Sequence, residues 1–149
     1  MNTPPLAPGT EVTCSKTVSE SDIYLFAGIT GDFARNHIDE AYMRKSPFGR
    51  RIAHGALVVG FMSRASSLIL ERAPLATDGS IPVSLGYDRI RFLKPVFVGD
   101  TLSISYRIDR HDPAKPRTTA KVEVTNDRNE LVAVAEHILQ WVKAPAPHP

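Results

Sequence analysis

The sequence predicts an α+β fold in which a curved antiparallel sheet wraps around a long central helix. Three observations carry this expectation. The stretch from His54 to Glu71 is apolar on nearly every side over its first half, where a surface helix would show one stripe and a polar back. Beyond it the chain changes to a two-residue alternation rich in β-branched side chains. Turn signals at "VGD", "DPAKP" and "NDRN" then divide that second half into strands that read as a meander.

The elements follow in order. Both ends are proline-rich, "TPPLAPG" and "KAPAPHP", and read as tails, so the ordered part of a single domain is expected from about Thr10 to Lys143. A short strand is expected at "TEVTCSKTV". Ser19 then stands before Ile23, Phe26 and Ala27 at helical spacing, and Asp22 three residues on makes a cap plausible. Gly28 and Gly31 are expected to close this helix and free the backbone for a loop. A second short helix, "DEAYMRKS", must end before Pro47. The central helix would be roughly 27 Å long at 1.5 Å per residue, enough to run the length of a small sheet. Strands are expected at "VSLGYDRIRFLKPVFVG", "DTLSISYRIDR", "RTTAKVEVTN" and "ELVAVAEHILQWV".

Composition narrows the function. The 149 residues suit one domain, with 42% hydrophobic and 23% charged residues. Eighteen Lys and Arg against 16 Asp and Glu leave a scattered excess of +2, which offers no patch for nucleic acid. Cys14 stands alone, so an intramolecular disulfide or a thiolate metal cluster is excluded and a reducing, cytoplasmic setting is expected. The N-terminus lacks the pattern of a signal peptide, and the run "GALVVGFM" is far short of the roughly 20 residues that cross a bilayer. There is no Gly-rich dinucleotide or P-loop pattern.

Chemistry-bearing residues concentrate in "ITGDFARNHID", residues 29–39, where Asp32 and His37 stand five positions apart. Taken alone, such a pair reads far more readily as a loop aspartate capping a turn and a surface histidine. Three segments add context: "FAGITGDFARNHIDEAYM", "FGRRIAHGALVVGFMS" and "RFLKPVFVGDTL". In this order and spacing they resemble the MaoC-like, (R)-specific enoyl-CoA hydratases of the hot-dog fold, and together they cover about a third of the chain.

The resemblance implies a catalytic dyad at Asp32 and His37, a helix-start "HG" at His54 and Gly55, and the family's serine at Ser63. It also implies a homodimer with its two sites near the interface, an enoyl thioester substrate, and no cofactor. An exposed sheet edge independently invites a second copy. The chain departs from the family between the dyad residues, where the usual Asn-Pro is replaced by Ala34-Arg35.

Hydrating an α,β-unsaturated thioester requires water to lose a proton as it attacks the β-carbon, while the α-carbon gains one. A carboxylate and an imidazole gripping one water supply both steps, because histidine exchanges protons near neutrality. Negative charge on the thioester oxygen needs a donor, and free N–H groups at a helix start provide one. Gly55 would let the thioester approach the backbone; equally, Gly55 and Gly60 would let a central helix pack tightly. His54 either caps the helix or takes part in proton transfer. Ser63 either holds the dyad or bonds back to a carbonyl of its own helix.

Arg35 would favour an acyl group with a terminal carboxylate if it faced the pocket, and otherwise would pair with Asp39 or Glu40 at the surface. Arg50, Arg51, Arg89, Arg91 and Lys94 are either contacts for coenzyme A phosphates or solvated sheet-edge residues. A metal site from Asp32, His37, Asp39 and His54 lacks a recognised ligand spacing and is not expected. Nothing recommends His111, His137 or His148. Two rival functions remain, a hot-dog thioesterase and a non-catalytic acyl-CoA-binding subunit.

Overall fold

Strand β1 (Glu11–Thr17) leads into helix α1 (Glu20–Thr30), two single-turn helices α2 (Arg35–Ile38) and α3 (Glu40–Met43), and the long helix α4 (Gly55–Arg72). Four strands complete the order: β2 (Ile81–Phe92), β3 (Thr101–His111), β4 (Arg117–Thr125) and β5 (Leu131–Val142). This computed structural model describes residues 6–74, 76 and 78–143. The strands form one antiparallel sheet in the order β1-β3-β4-β5-β2, so β1 and β2 are its edges.

The period-2 pattern places one face of each central strand inward. Leu102, Ile104, Tyr106 and Ile108 of β3, Ala120, Val122 and Val124 of β4, and Leu139 and Trp141 of β5 are buried. On α4 the buried residues are Val58, Met62, Ala65, Ser66 and Ile69, a single stripe that packs on the sheet. The helix is therefore not enclosed on every side as its sequence suggested. Ala56, Gly60, Ser63 and Ser67 lie on an open face, because one sheet covers only one side of it.

Helix α1 starts and stops as its residues dictate. The Ser19 hydroxyl accepts from the Asp22 N–H at 3.2 Å, and the Asp22 carboxylate accepts from the Ser19 N–H at 2.8 Å, a reciprocal capping box. Gly31 ends the helix with φ +78°, a left-handed conformation that side chains other than glycine rarely adopt, whereas Gly28 sits inside the helix and closes nothing.

Four other expectations change. Residues 35–38 form a helical turn where a plain loop was expected. Helix α3 is shorter than "DEAYMRKS", with Asp39 as its N-cap and residues 44–46 outside it. Strand β2 ends at Phe92, because Pro95 cannot donate to a ladder, and Gly99 (φ +94°) turns the chain before β3. The N-terminus is anchored earlier than Thr10: Leu6 is buried in the core and the Gly9 N–H donates to the Ile108 carbonyl at 2.8 Å. Residues 3–5 and 144–149 of the two proline-rich tails lie outside the described residues.

His137, to which sequence patterning assigns no role, is almost fully buried and ties three strands together. Its ring nitrogens meet the Tyr106 hydroxyl of β3 at 2.7 Å and the Ser84 hydroxyl of β2 at 2.8 Å, and Tyr87 stacks on it. Burial holds its pKa down to about 4, so the ring is neutral at physiological pH.

Candidate active site

The left-handed Gly31 turns the chain out of α1 and delivers Asp32 to an exposed position, where its carboxylate accepts the Ala34 N–H at 3.3 Å. The turn of α2 then brings His37 back against the start of α4. Its Nδ1 lies 2.8 Å from the Ile52 carbonyl. A carbonyl only accepts, so the proton sits on Nδ1 and the lone pair on Nε2. Burial, with only 9% of His37 exposed, holds its pKa below the ordinary value. The Ile52 hydrogen bond and the Asp32 charge oppose that shift, and His54 adds to it. The imidazole is consequently a neutral base at physiological pH.

His54 is the N-cap residue of α4 and is 1% exposed. Its side chain caps nothing in its own helix. Instead Nε2–H donates to the Asp32 main-chain carbonyl at 3.0 Å, and the ring stacks on His37 at 3.8 Å between centroids. Its Nδ1 is buried with no hydrogen-bond partner among the described residues. Asp32, His37 and His54 each present a donor atom, and these three atoms lie within 4.8 Å of one another. Asp39 does not join them, because its carboxylate caps α3 by accepting the Tyr42 N–H at 2.8 Å.

His37 and Gly55 share a cavity of about 500 Å³ whose other walls include Asn36, Phe92, Lys94 and Val96. Gly55 opens α4, where the first N–H groups have no partner within the helix. The Phe92 ring packs directly on it: a Cβ added at Gly55 would stand 2.5 Å from the ring's Cε2. The close-packing reason for this glycine is therefore present, and the residue also lines the cavity.

Other expected residues fall elsewhere. Ser63 sits on the open face of α4 and makes no hydrogen bond to the dyad; the bond back to a carbonyl is made by Ser67, onto the Ser63 carbonyl at 3.3 Å. The polar neighbour of Ser63 is Tyr87, whose buried hydroxyl is pushed up by burial and drawn partly back by Ser63. Arg35 turns away from the cavity. Its guanidinium holds the Asp39 carboxylate at 2.9 and 3.0 Å and lies over the Tyr42 ring, so of the two arrangements open to it the surface pair is the one formed.

The basic residues considered for phosphates are mostly engaged. Arg51 binds Glu20 at 2.5 Å, Glu40 at 3.0 Å and the Tyr24 hydroxyl at 2.9 Å, which fastens α1 and α3 to the segment entering α4. Arg89 pairs with Glu136, Arg91 reaches the Ile90 carbonyl, and Arg50 stacks on Phe97. Lys94 pairs with Glu130 at 2.7 Å while still lining the cavity. Sequence reasoning missed Asn36 and Phe92. Asn36 was visible as an amide beside the dyad, whereas Phe92 looked like any alternating strand residue.

A single antiparallel sheet packed on one long helix, with an acid–imidazole pair before the start of that helix, defines the class of domain, and comparison with known proteins identifies the family. The chain belongs to the MaoC like domain family, which matches residues 4–132. It is 36% identical over 117 residues to an (R)-specific enoyl-CoA hydratase of Rhodospirillum rubrum, covering 78% of this chain and 76% of that one. Over 125 residues it is 33% identical to a 3-hydroxybutyryl-CoA dehydratase of Methylorubrum extorquens, covering 80% and 74%. Its fold matches the R-hydratase PhaJ1 from Pseudomonas aeruginosa with a TM-score of 0.76 at 28% identity, over 97% of this chain and 90% of that one. The architecture is thus the hot-dog fold, and a hydratase or dehydratase chemistry is the activity of its relatives.

Proposed function

We propose that this protein is an enoyl-thioester hydratase, running in reverse as a 3-hydroxyacyl-thioester dehydratase, with coenzyme A as the expected acyl carrier. The observation that carries the reading is the His37 ring: its Nδ1 proton is fixed by Ile52, and its Nε2 lone pair is set among Asp32, the cavity and the first turn of α4. Asp32 and His37 hold one water and remove its proton as its oxygen bonds to the β-carbon. The electron pair of the double bond moves toward the carbonyl, and the charge gathered on the thioester oxygen is met by the Gly55 N–H. A proton returned to the α-carbon completes the addition, so atoms and charge balance without a cofactor. No helix among the described residues is long and apolar enough to cross a membrane, and the lone Cys14 suits a reducing compartment such as the cytoplasm.

Turnover of a panel of enoyl-CoA thioesters tests the assignment. Asp32→Asn and His37→Ala should each lower kcat by about 10²-fold or more while leaving the fold intact, the size expected for losing a general base. Activity within a few-fold of wild type in either variant would remove the proton-transfer roles. A thiol-reactive dye separates the thioesterase alternative, because hydration leaves the coenzyme A thiol masked. Tight binding with no turnover across the panel would instead favour a non-catalytic acyl-CoA-binding subunit.

We also propose a homodimer. The outer edge of β2 has no partner strand, and Ile81, Val83 and Leu85 along it are exposed by 61%, 40% and 50%. The open face of α4, with Ala56, Gly60, Ser63 and Ser67, offers small side chains that permit close approach of a second helix.

A further inference from the structure

The chain lacks the Asn-Pro that its family usually carries between the dyad residues, yet the cavity wall is not short of an amide. Asn36 lines the cavity beside His37, and its side-chain nitrogen lies 3.2 Å from His37 Nε2. The polarity of this contact follows from the other side of the ring. With the proton on Nδ1 for Ile52, Nε2 offers only a lone pair, so the Asn36 amide must present its N–H; an oxygen there would face the lone pair and repel it. The backbone of Asn36 is fixed as well, because its carbonyl accepts the Ile52 N–H at 3.0 Å. His37 and Asn36 are thus bonded to the two faces of one residue, Ile52, and their side chains meet at the nitrogen that must take a proton.

We infer that Asn36 is a positioning residue for His37: its amide N–H occupies the Nε2 lone pair in the resting site and keeps that nitrogen aimed into the cavity until a water takes the amide's place. The inference rests on the hydratase reading of this site. A donor on the lone pair stabilises the neutral ring and opposes its protonation. The other groups facing the ring are Asp32 on the preceding loop and His54 at the start of α4, with Lys94 on the far wall of the same cavity. None of them supplies a donor to Nε2 among the described residues. Removing the Asn36 amide should therefore raise the pH at which His37 becomes protonated, and the acidic limb of the activity profile should move up with it.

The test uses Asn36→Leu, which keeps the volume and removes the amide, and Asn36→Gln, which restores an N–H on a longer stem. His37 is followed by NMR titration without substrate, and kcat and KM are measured against pH on enoyl-CoA. In Asn36→Leu the His37 midpoint should rise by about 0.5 or more, and kcat should fall about tenfold with KM within about threefold, the effect of one lost hydrogen bond. Asn36→Gln should recover part of both. A His37 titration in Asn36→Leu that superposes on wild type overturns the inference, whatever the activity. A shifted titration with kcat unchanged overturns the positioning role and leaves only a contact. If wild type itself turns over no enoyl thioester, the hydratase reading fails, and the titration still decides whether the amide acts on His37.

Discussion

His54 is a histidine whose work is done away from solvent. It spends its one N–H on a main-chain carbonyl 22 residues earlier and its ring face on His37, so it links the loop that carries Asp32 to the helix that begins with Gly55. His54→Phe keeps a buried ring but leaves the Asp32 carbonyl without its donor, which costs about 1–3 kcal/mol and frees the loop. We expect kcat to drop about tenfold or more with little change in KM, since the loop sets the reacting groups more than it holds substrate. His54→Gln, whose amide reaches near the position of Nε2, should recover much of the loss. Equal kcat in His54→Phe and wild type would reduce His54 to a packing residue. That Asp32 and His37 come together was legible from spacing and the flanking motif. The tautomer, the stack and the Asn36 contact were not, since each depends on where Ile52 and His54 arrive in space.

Helix α1 illustrates what local sequence specifies. The Ser19–Asp22 capping box and the Gly31 stop were both visible as spacings, and the Lys16 ammonium reinforces the first of them by pairing with Asp22 at 2.9 Å. Ser19→Ala should destabilise the protein by about 1 kcal/mol. For a chain of this size that lowers Tm by about 2–4 °C in a thermal melt. An unchanged Tm would show that the cap is dispensable, with packing of Ile23 and Ala27 alone holding the helix. The single turn α2 was not legible: four residues with no side-chain cap are held by bonds linking His37 and Asn36 to Ile52, 15 or more residues away in sequence. The end of β2 was misjudged for a related reason. The alternation runs on through Val96 and Val98, but after Pro95 those residues pack as a loop against the core, Val96 being buried. The bounds of α4 came within one residue, while its open face could not be foreseen from a sequence that is apolar on nearly every side.

At the scale of the whole molecule the question is what meets that open face and the adjoining β2 edge. A row of exposed apolar side chains on an unpaired strand is a pairing site unless something blunts it, and a lysine placed there is an effective block. Leu85→Lys leaves the single chain unchanged inside, because Leu85 is half exposed already. Light scattering at micromolar concentration should give at least a dimer for wild type and a smaller species for the variant. The same mass for both proteins would move the interface off β2, and a wild-type monomer would remove the homodimer altogether.

The anchors of the dyad loop share one property: they end on the main chain. His37 holds the Ile52 carbonyl, Ile52 holds the Asn36 carbonyl, and His54 holds the Asp32 carbonyl. Every amino acid carries a main-chain carbonyl and only proline lacks the N–H, so side chains at positions 33–35, and any but proline at 52, can be exchanged with these three bonds kept. That gives a physical account of how Ala34-Arg35 can stand between Asp32 and His37 while those two side chains still meet. The tolerance ends at the two histidines, whose rings are the side-chain half of two of the three bonds.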